Sequence, residues 1–260
     1  MDLRVAVLTG CLIGGLTSAS ALASGPAAPC KTVEFQTDPF TVCAFPATAD
    51  VRLFWGEGAQ PYKNFGAVSQ ALSGKQERLV FAMNAGMYHK DRAPVGLYVD
   101  TKGQRGNLQT KASYGNFGLV PNGVFHVSAS GMAVTETNAF KAQKLSPDYA
   151  TQSGPMLVID NQLHPKFMSG STSKRIRNGV GVSGDGQTVY FVLSDRPVNF
   201  YKFGSLFKDK LETPNALYLD GTISRLFDAA SGRNDLGAPM GPILGVVTMN
   251  EADKKERAQQ

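Results

Sequence analysis

Short apolar runs recur along the chain and are separated by Gly, Pro, Asn and Asp residues. Runs of this length, rich in β-branched and aromatic residues and bounded by turn formers, are typical of β-strands. They predict strands at residues 51–55, 79–83, 95–99, 124–127, 156–159, 180–182, 189–193, 216–219 and 243–248. Clusters of turn residues predict hairpins at 128–131, 160–161 and 184–186.

Two segments have helical spacing instead. Residues 65–72 predict a short helix, and a second is predicted where Phe200, Phe203, Phe207 and Leu211 recur every three or four positions. Hairpins with a few helices indicate an α+β fold: a mixed, largely antiparallel sheet with covering helices in a single domain. We expect this domain to span residues 24–250, and the charged residues 251–260 to form a frayed tail.

The first 23 residues differ from the rest of the chain. Arg4 precedes an apolar stretch at 5–16, and small residues at 21–23 form a processing site, which together predict a secretory signal peptide. The alternative is a lipoprotein anchor at Cys11, but cleavage there would leave too short an apolar core for export. No later segment approaches the roughly 18–20 apolar residues that span a bilayer, so we expect no transmembrane segment in the mature chain.

Export would leave the mature chain with Cys30 and Cys43 in an oxidising compartment, periplasmic or extracellular. We therefore predict a disulfide between them. The net charge of +5 suits anionic envelope polymers or phosphate-bearing substrates as partners. Basic residues are scattered without a nucleic-acid-reading motif, so a nucleic-acid partner is not predicted. The oligomeric state is left open.

Several polar residues follow predicted strands, where a rigid sheet can hold them in place. Asn84 can donate and accept hydrogen bonds, Gly86 allows close backbone approach, and Arg92 adds a cationic fork. An ordinary structural turn explains this segment equally well. The chain lacks a Gly-x-Ser-x-Gly elbow, a P-loop, a dinucleotide fingerprint and a His-Glu-x-x-His motif.

Arg175 and Arg177 share one face if their segment is extended, and two guanidinium groups on one face can grip a phosphate. A solvated basic edge strand is the alternative. The segment Gln152, Ser153 and Gly154 is interpreted as a backbone turn lining a pocket, since Ser153 has no evident catalytic base.

Asp195 and Asp220 each follow a predicted strand. A carboxylate in such a place can act as general acid, general base or nucleophile, because its surroundings tune its pKa. Asp-Gly is also an ordinary turn, so the pair Asp220 and Gly221 has a purely structural alternative.

Eight short motifs follow one another along the chain: 84–88 (NAGMY), 91–96 (DRAPVG), 114–117 (YGNF), 121–125 (PNGVF), 151–156 (TQSGPM), 175–181 (RIRNGVG), 193–195 (LSD) and 218–224 (YLDGTIS). Taken in order, these motifs resemble the phosphodiester glycosidase family. The resemblance covers about residues 79–247.

The resemblance implies a hydrolase that cleaves the glycosidic bond of a sugar-1-phosphodiester, on envelope or exopolysaccharide-type glycans. Asn84 and Gly86 match the family's Asn-x-Gly segment, and Asp220, Gly221 and Ser224 match its Asp-Gly-x-x-Ser segment. Thr222 and Ile223 replace the commoner glycines, so N-acetylglucosamine specificity is not carried over.

The expected mechanism stabilises the departing phosphate with Arg175 and Arg177. Asp220 is the first choice for the catalytic carboxylate and Asp195 the second, since glycosidases usually employ paired carboxylates. Asn84 and Asn178 are expected to hold sugar hydroxyls or phosphate oxygens. No cofactor is predicted, and no motif supports a divalent cation.

Two other function classes would require different features of the chain. A non-catalytic envelope protein could use the same arginines and asparagines to bind an anionic glycan, and it should tolerate the loss of Asp220. A phosphodiesterase attacking phosphorus would favour two metals bridged by His and Asp, which three unrelated histidines do not support.

Overall fold

The computed structural model describes residues 29–112 and 115–249. The predicted signal peptide at 1–23, the lipoprotein alternative at Cys11 and the predicted tail at 251–260 lie outside the described residues.

The strands are β1 Cys30–Phe35, β2 Asp38–Pro46, β3 Asp50–Phe54, β4 Gly56–Glu57, β5 Gln60–Pro61, β6 Glu77–Asn84, β7 Tyr98–Asp100, β8 Gly103–Arg105, β9 Gly123–Ser128, β10 Gly131–Glu136, β11 Tyr149–Ser153, β12 Met156–Ile159, β13 Gln162–Leu163, β14 Asn178–Val182, β15 Thr188–Ser194, β16 Asn215–Asp220, β17 Leu226–Asp228, β18 Arg233–Asn234 and β19 Ile243–Met249. The helices are α1 Phe65–Ser73, α2 Thr137–Gln143 and α3 Phe200–Ser205, which continues as a π-helical turn at Leu206–Lys210, and a 3-10 turn covers Asn116–Gly118.

These strands form three large sheets and one small ribbon. The seven-stranded sheet has the order β1-β2-β15-β14-β16-β12-β13, the five-stranded sheets run β10-β9-β11-β7-β8 and β18-β17-β6-β19-β3, and β4 pairs with β5. All pairings among the described strands are antiparallel. The prediction of a largely antiparallel fold is thus confirmed, and the fold is β-rich with few helices.

The three predicted hairpins join β9 to β10, β12 to β13 and β14 to β15. The strand predicted at 95–99 is shorter, beginning at Tyr98. At Leu97 the pairing with β11 is incomplete: its carbonyl accepts from the Gln152 N–H at 2.8 Å, but its own N–H donates to the side chain of Gln152 at 3.2 Å. The β1–β2 hairpin was not predicted, since β1 mixes polar and apolar residues and is largely exposed.

The main core lies where the three large sheets meet. Phe191 on β15 stacks on Phe81 on β6 with ring centroids 5.2 Å apart, and its ring meets Phe125 on β9 edge-on at 6.1 Å. Each ring belongs to a different sheet. Burying such rings contributes most of the favourable free energy in a core of this kind.

The alternating sequence of β14 allows both faces of the seven-stranded sheet to be covered. Val180 and Val182 point into the main core, while a Cβ on Gly179 or Gly181 would lie 3.1 Å from the ring of Phe203 or 2.9 Å from that of Phe207. The glycines therefore let α3 and its π-helical turn pack closely on this sheet.

The predicted disulfide is present. Cys30 on β1 and Cys43 on β2 are opposite each other in the strand register and are bonded through their sulfur atoms. None of the helices in residues 29–112 and 115–249 has the length and apolar character needed to cross a membrane.

Candidate active site

Strand β16 ends at Asp220, whose carboxylate organises the turn that follows. Its Oδ1 accepts hydrogen bonds from the backbone N–H groups of Gly221 at 2.6 Å and Thr222 at 2.8 Å, and more weakly from Ile223 at 3.5 Å. The other oxygen, Oδ2, has no hydrogen-bond partner among the described residues and is not enclosed. One oxygen is therefore fixed, and the other has no partner in residues 29–112 and 115–249.

Asp220 is 8% exposed. Burial raises the pKa of its carboxyl above the ordinary value, and the backbone N–H groups of Thr222, Gly221 and Ile223 oppose that rise. A carboxylate with a raised pKa is a stronger base, because its charged form is less stabilised by solvent.

Asp220 lies on the wall of an open cavity of about 670 Å³. Four separate segments build this cavity: the loop after β6, the 3-10 turn, the turn after β16 and the chain leading to β19. Its lining comprises Met87, Tyr88, Arg92, Val95, Gly115, Asn116, Phe117, Asp220, Thr222, Ile223, Ala238 and Pro239. The volume is in the range of small-molecule sites.

Arg92 supplies a cation to the same cavity. Its guanidinium carbon lies 5.3 Å from the ring centroid of Tyr88, and its backbone carbonyl accepts a hydrogen bond from Trp55 Nε1 at 2.7 Å. The Tyr88 hydroxyl donates to the Pro239 carbonyl at 3.0 Å. The last of these contacts joins the loop after β6 to the chain before β19. Arg92 and Asp220 both line the cavity that these segments help to form.

A buried amide network lies beneath Asp220. Asn84 Nδ2 donates to Asn178 Oδ1 at 3.1 Å, and Asn178 Nδ2 donates to the Asn84 carbonyl at 2.9 Å. Asn178 Oδ1 also accepts from the Asp220 N–H at 3.0 Å, and Asn84 Oδ1 accepts from the Arg225 N–H at 3.0 Å. The two amides, both fully buried, are therefore engaged with protein groups and position Asp220.

Gly221 and Ser224 complete the turn. The Ser224 hydroxyl donates to the carbonyl oxygens of Asp220 at 2.9 Å and Ile176 at 3.1 Å. A Cβ on Gly221 would lie 2.1 Å from the Tyr218 hydroxyl and 3.5 Å from the Arg175 Cβ. Glycine is therefore required here by close packing, and both residues shape the turn from outside the cavity lining.

Arg175 and Arg177 lie next to this turn but differ in exposure. Arg175 is exposed, and its Nη1 donates to the Lys174 carbonyl at 2.8 Å. Arg177 is 1% exposed, with its guanidinium carbon 3.7 Å from the ring centroid of Phe200 and its Nε donating to the Val198 carbonyl at 2.8 Å. The pair does not present two head groups on one open face, because the aromatic cover encloses Arg177.

The segment Gln152 to Gly154 is buried away from the cavity lining. The Gln152 amide bonds to backbone groups of Leu97 and Gln109, and the Ser153 hydroxyl donates to the Leu219 carbonyl at 3.0 Å. Gly86 has φ 138°, and a Cβ there would lie 3.2 Å from the Thr151 hydroxyl oxygen. These groups hold together the strands that carry the site.

Asp195 lies apart from the cavity that Asp220 lines. Its carboxylate accepts hydrogen bonds from Thr41 Oγ1 at 2.8 and 3.0 Å and is paired with Arg233 Nη1 at 3.4 Å. Within residues 29–112 and 115–249, no three His, Cys, Asp or Glu side chains gather in a way suited to a metal ion.

Several residues that line the cavity lie outside the set of site residues that the sequence predicts. Tyr88, Asn116 and Phe117 lie within motifs of the resemblance, so their segments did carry a signal. Ala238 and Pro239 lie in no motif, and the sequence pattern ahead of β19 gives no signal that they line a site.

Comparison with known proteins agrees with the motifs. Residues 77–247 match the model of the NAGPA family, described as phosphodiester glycosidase. The chain belongs to the phosphodiester glycosidase family. It is 36% identical over 196 residues to the uncharacterized protein YigE of Escherichia coli (strain K12), covering 74% of this chain and 76% of YigE.

Solved structures share the fold of this family member. The zebrafish N-acetylglucosamine-1-phosphodiester alpha-N-acetylglucosaminidase catalytic domain, auto-inhibited by its pro-peptide, matches with TM-score 0.57 and 12% identity over 88% of this chain and 86% of that one. A hypothetical protein from Synechocystis matches with TM-score 0.51 and 13% identity, and the alignment covers 84% of this chain but only 61% of the Synechocystis protein.

Proposed function

We propose that this chain hydrolyses the glycosidic bond of a sugar-1-phosphodiester, with Asp220 as the catalytic carboxylate. The observation that carries the proposal is the geometry of Asp220: one oxygen is held by backbone amides, the other is bonded to no described residue, and the carboxylate lines a cavity that Arg92 also lines. Family membership supports the reaction class.

In this reaction the bond between the anomeric carbon and the phosphate oxygen breaks, and the phosphomonoester leaves with the electron pair. Water supplies the new oxygen on carbon. Asp220 accepts the water proton or stabilises the positive charge that develops on the sugar. A phosphomonoester leaves readily once its charge is neutralised, so little acid catalysis is required.

Three arginines are proposed to stabilise the departing phosphate. Arg92 lines the cavity and is the most direct candidate, while Arg175 is exposed beside Gly221. Arg177 is enclosed and would not touch the phosphate directly. Its positive charge would stabilise the phosphate electrostatically, since its Nη1 has no hydrogen-bond partner among the described residues. Asn84 and Asn178 are proposed to act by positioning Asp220. Asp195 remains the second candidate carboxylate.

The sugar is proposed to contact Thr222 and Ile223, which line the cavity where the family more often has glycine. Their side chains narrow the cavity next to Asp220, so specificity is proposed to differ from that for N-acetylglucosamine. Envelope or exopolysaccharide-type glycans are the proposed substrates. Export to the periplasm or the medium is proposed from the N-terminal sequence and is supported by the disulfide.

The test is a panel of sugar-1-phosphodiesters incubated with the protein in ¹⁸O-labelled water. We expect release of free sugar that carries the label and of an unlabelled phosphomonoester. Label on phosphorus would instead show phosphodiesterase chemistry. Saturable binding of the panel without product would support the glycan-binding alternative.

A further inference from the structure

A second cavity, of about 320 Å³, lies beside the start of α1. The chain at 237–240 contributes to both cavities, since Ala238 and Pro239 line the one with Asp220 while Gly237 and Met240 line this one. The other lining residues that bear on its chemistry are Asn64, Phe65, Gly66, Arg225 and Asp235.

The first turn of α1 offers free backbone donors to this cavity. The helix has nine residues and no acidic side chain in its first turn, and Asn64 caps it by accepting from the Ala67 N–H at 2.8 Å. The N–H groups of Phe65 and Gly66 belong to the first turn, whose backbone donors have no intrahelical acceptor. Such donors, together with the positive end of the helix dipole, favour an anion.

Arg225 points independently to an anionic ligand. The residue is only 8% exposed, and none of its guanidinium nitrogens hydrogen-bonds or ion-pairs with a described residue. Its backbone N–H is anchored on Asn84, and a Cβ on Gly237 would lie 3.4 Å from its Nη1. Burial lowers the pKa of Arg225, and nearby Tyr88 and Asp235 oppose that change. A buried guanidinium without a direct ion-pair partner is costly, although arginine remains protonated there.

The carboxylate that lines this cavity, that of Asp235, accepts hydrogen bonds from other residues. Asp235 accepts two hydrogen bonds from Arg233, each at 3.0 Å, and one from the Leu226 N–H at 3.0 Å. Arg233, which also pairs with Asp195 at 3.4 Å, therefore holds the Asp235 carboxylate, and no Asp235 oxygen is hydrogen-bonded to the Arg225 guanidinium, whose pKa Asp235 raises from a distance.

We propose that this cavity binds a phosphate-type oxyanion, held by the Arg225 guanidinium and the N–H groups of Phe65 and Gly66. Guanidinium recognises phosphate in bidentate fashion, and helix-terminal amides complete the contacts to its oxygens. The anion is either free phosphate or a phosphate group carried by a glycan. This site does not depend on the reaction proposed for Asp220.

The experiment is an amide chemical-shift titration of the ¹⁵N-labelled full chain with inorganic phosphate, following Phe65 and Gly66. We expect saturable shifts in the wild type, and affinity lowered at least about tenfold in Arg225→Met. Two control variants should titrate like the wild type: Arg78→Met removes an exposed charge, and Arg92→Met removes the cation of the first cavity. Absence of saturable shifts in the wild type, or unchanged affinity in Arg225→Met, overturns the proposal.

Circular dichroism checks that Arg225→Met is folded. If it is not, Arg225→Lys keeps the charge without the planar fork, and unchanged phosphate affinity in that variant also overturns the proposal. Parallel titration with glucose 6-phosphate distinguishes the sources. Equal binding assigns the site to the free anion, and tighter binding of the sugar phosphate assigns it to a glycan-borne group.

Discussion

Replacing Asp220 with asparagine separates the chemistry of this residue from its structural role. The amide oxygen introduced by the substitution can still accept the N–H groups of Gly221 and Thr222, which now bond to Oδ1 at 2.6 and 2.8 Å. What the substitution removes is the charge and basicity of the free oxygen. The turn should therefore persist while turnover falls.

The expected loss in kcat is about 10²–10⁴-fold, the usual contribution of a positioned general base. This corresponds to about 3–5 kcal/mol of transition-state stabilisation. KM for a sugar-1-phosphodiester should change little, because asparagine keeps the shape and size of the aspartate side chain. The assay is release of sugar and phosphomonoester under saturating substrate, with circular dichroism to verify folding.

Although Asp220→Asn should lose turnover, its folded state should be at least as stable as that of the wild type. The pKa of Asp220 in the folded protein is raised by burial, so protonated Asp220 favours the fold and this contribution is lost as pH rises through the folded pKa. At neutral pH the ionised carboxylate therefore costs stability, and Asp220→Asn should unfold at an equal or higher temperature. The wild-type rate should fall on the acid side at a pH above the ordinary aspartate pKa.

The matched control is Asp195→Asn. This substitution weakens the partly exposed contacts with Thr41 and Arg233 and should leave kcat within a few-fold of the wild type. Near-normal turnover in a folded Asp220→Asn protein would refute the role of Asp220, and a large loss in Asp195→Asn would transfer it to Asp195.

Three further predictions concern the framework. Asn178→Ala should lower the free energy of unfolding by roughly 2–4 kcal/mol in urea titration, since it leaves several buried polar groups unpaired, and a change below about 0.5 kcal/mol would contradict the network. Gly221→Ala should cost about 1–3 kcal/mol, because its Cβ would lie 2.1 Å from the Tyr218 hydroxyl, and adding Tyr218→Phe should recover part of that loss. Alkylation without reduction should leave Cys30 and Cys43 unmodified, and replacing both with serine should lower stability by about 2–3 kcal/mol.

Local sequence determined much of this fold. Apolar alternation and turn residues were sufficient for the three hairpins, because each depends on neighbours within a few positions. The spacing of Phe200, Phe203 and Phe207 identified the helical region for the same reason. The position of Asp220 at a strand end and the ordered family motifs were likewise readable from the chain.

Only the tertiary structure decided which polar groups are free to meet a ligand. Asn84 and Asn178 have the same chemistry whether they face solvent or each other, and the contact between them joins positions 94 residues apart. The enclosure of Arg177 depends on the ring of Phe200, and the wall of the cavity depends on Pro239. Strand alternation predicts faces of a sheet, but burial of a given side chain depends on the distant segment that packs over that face.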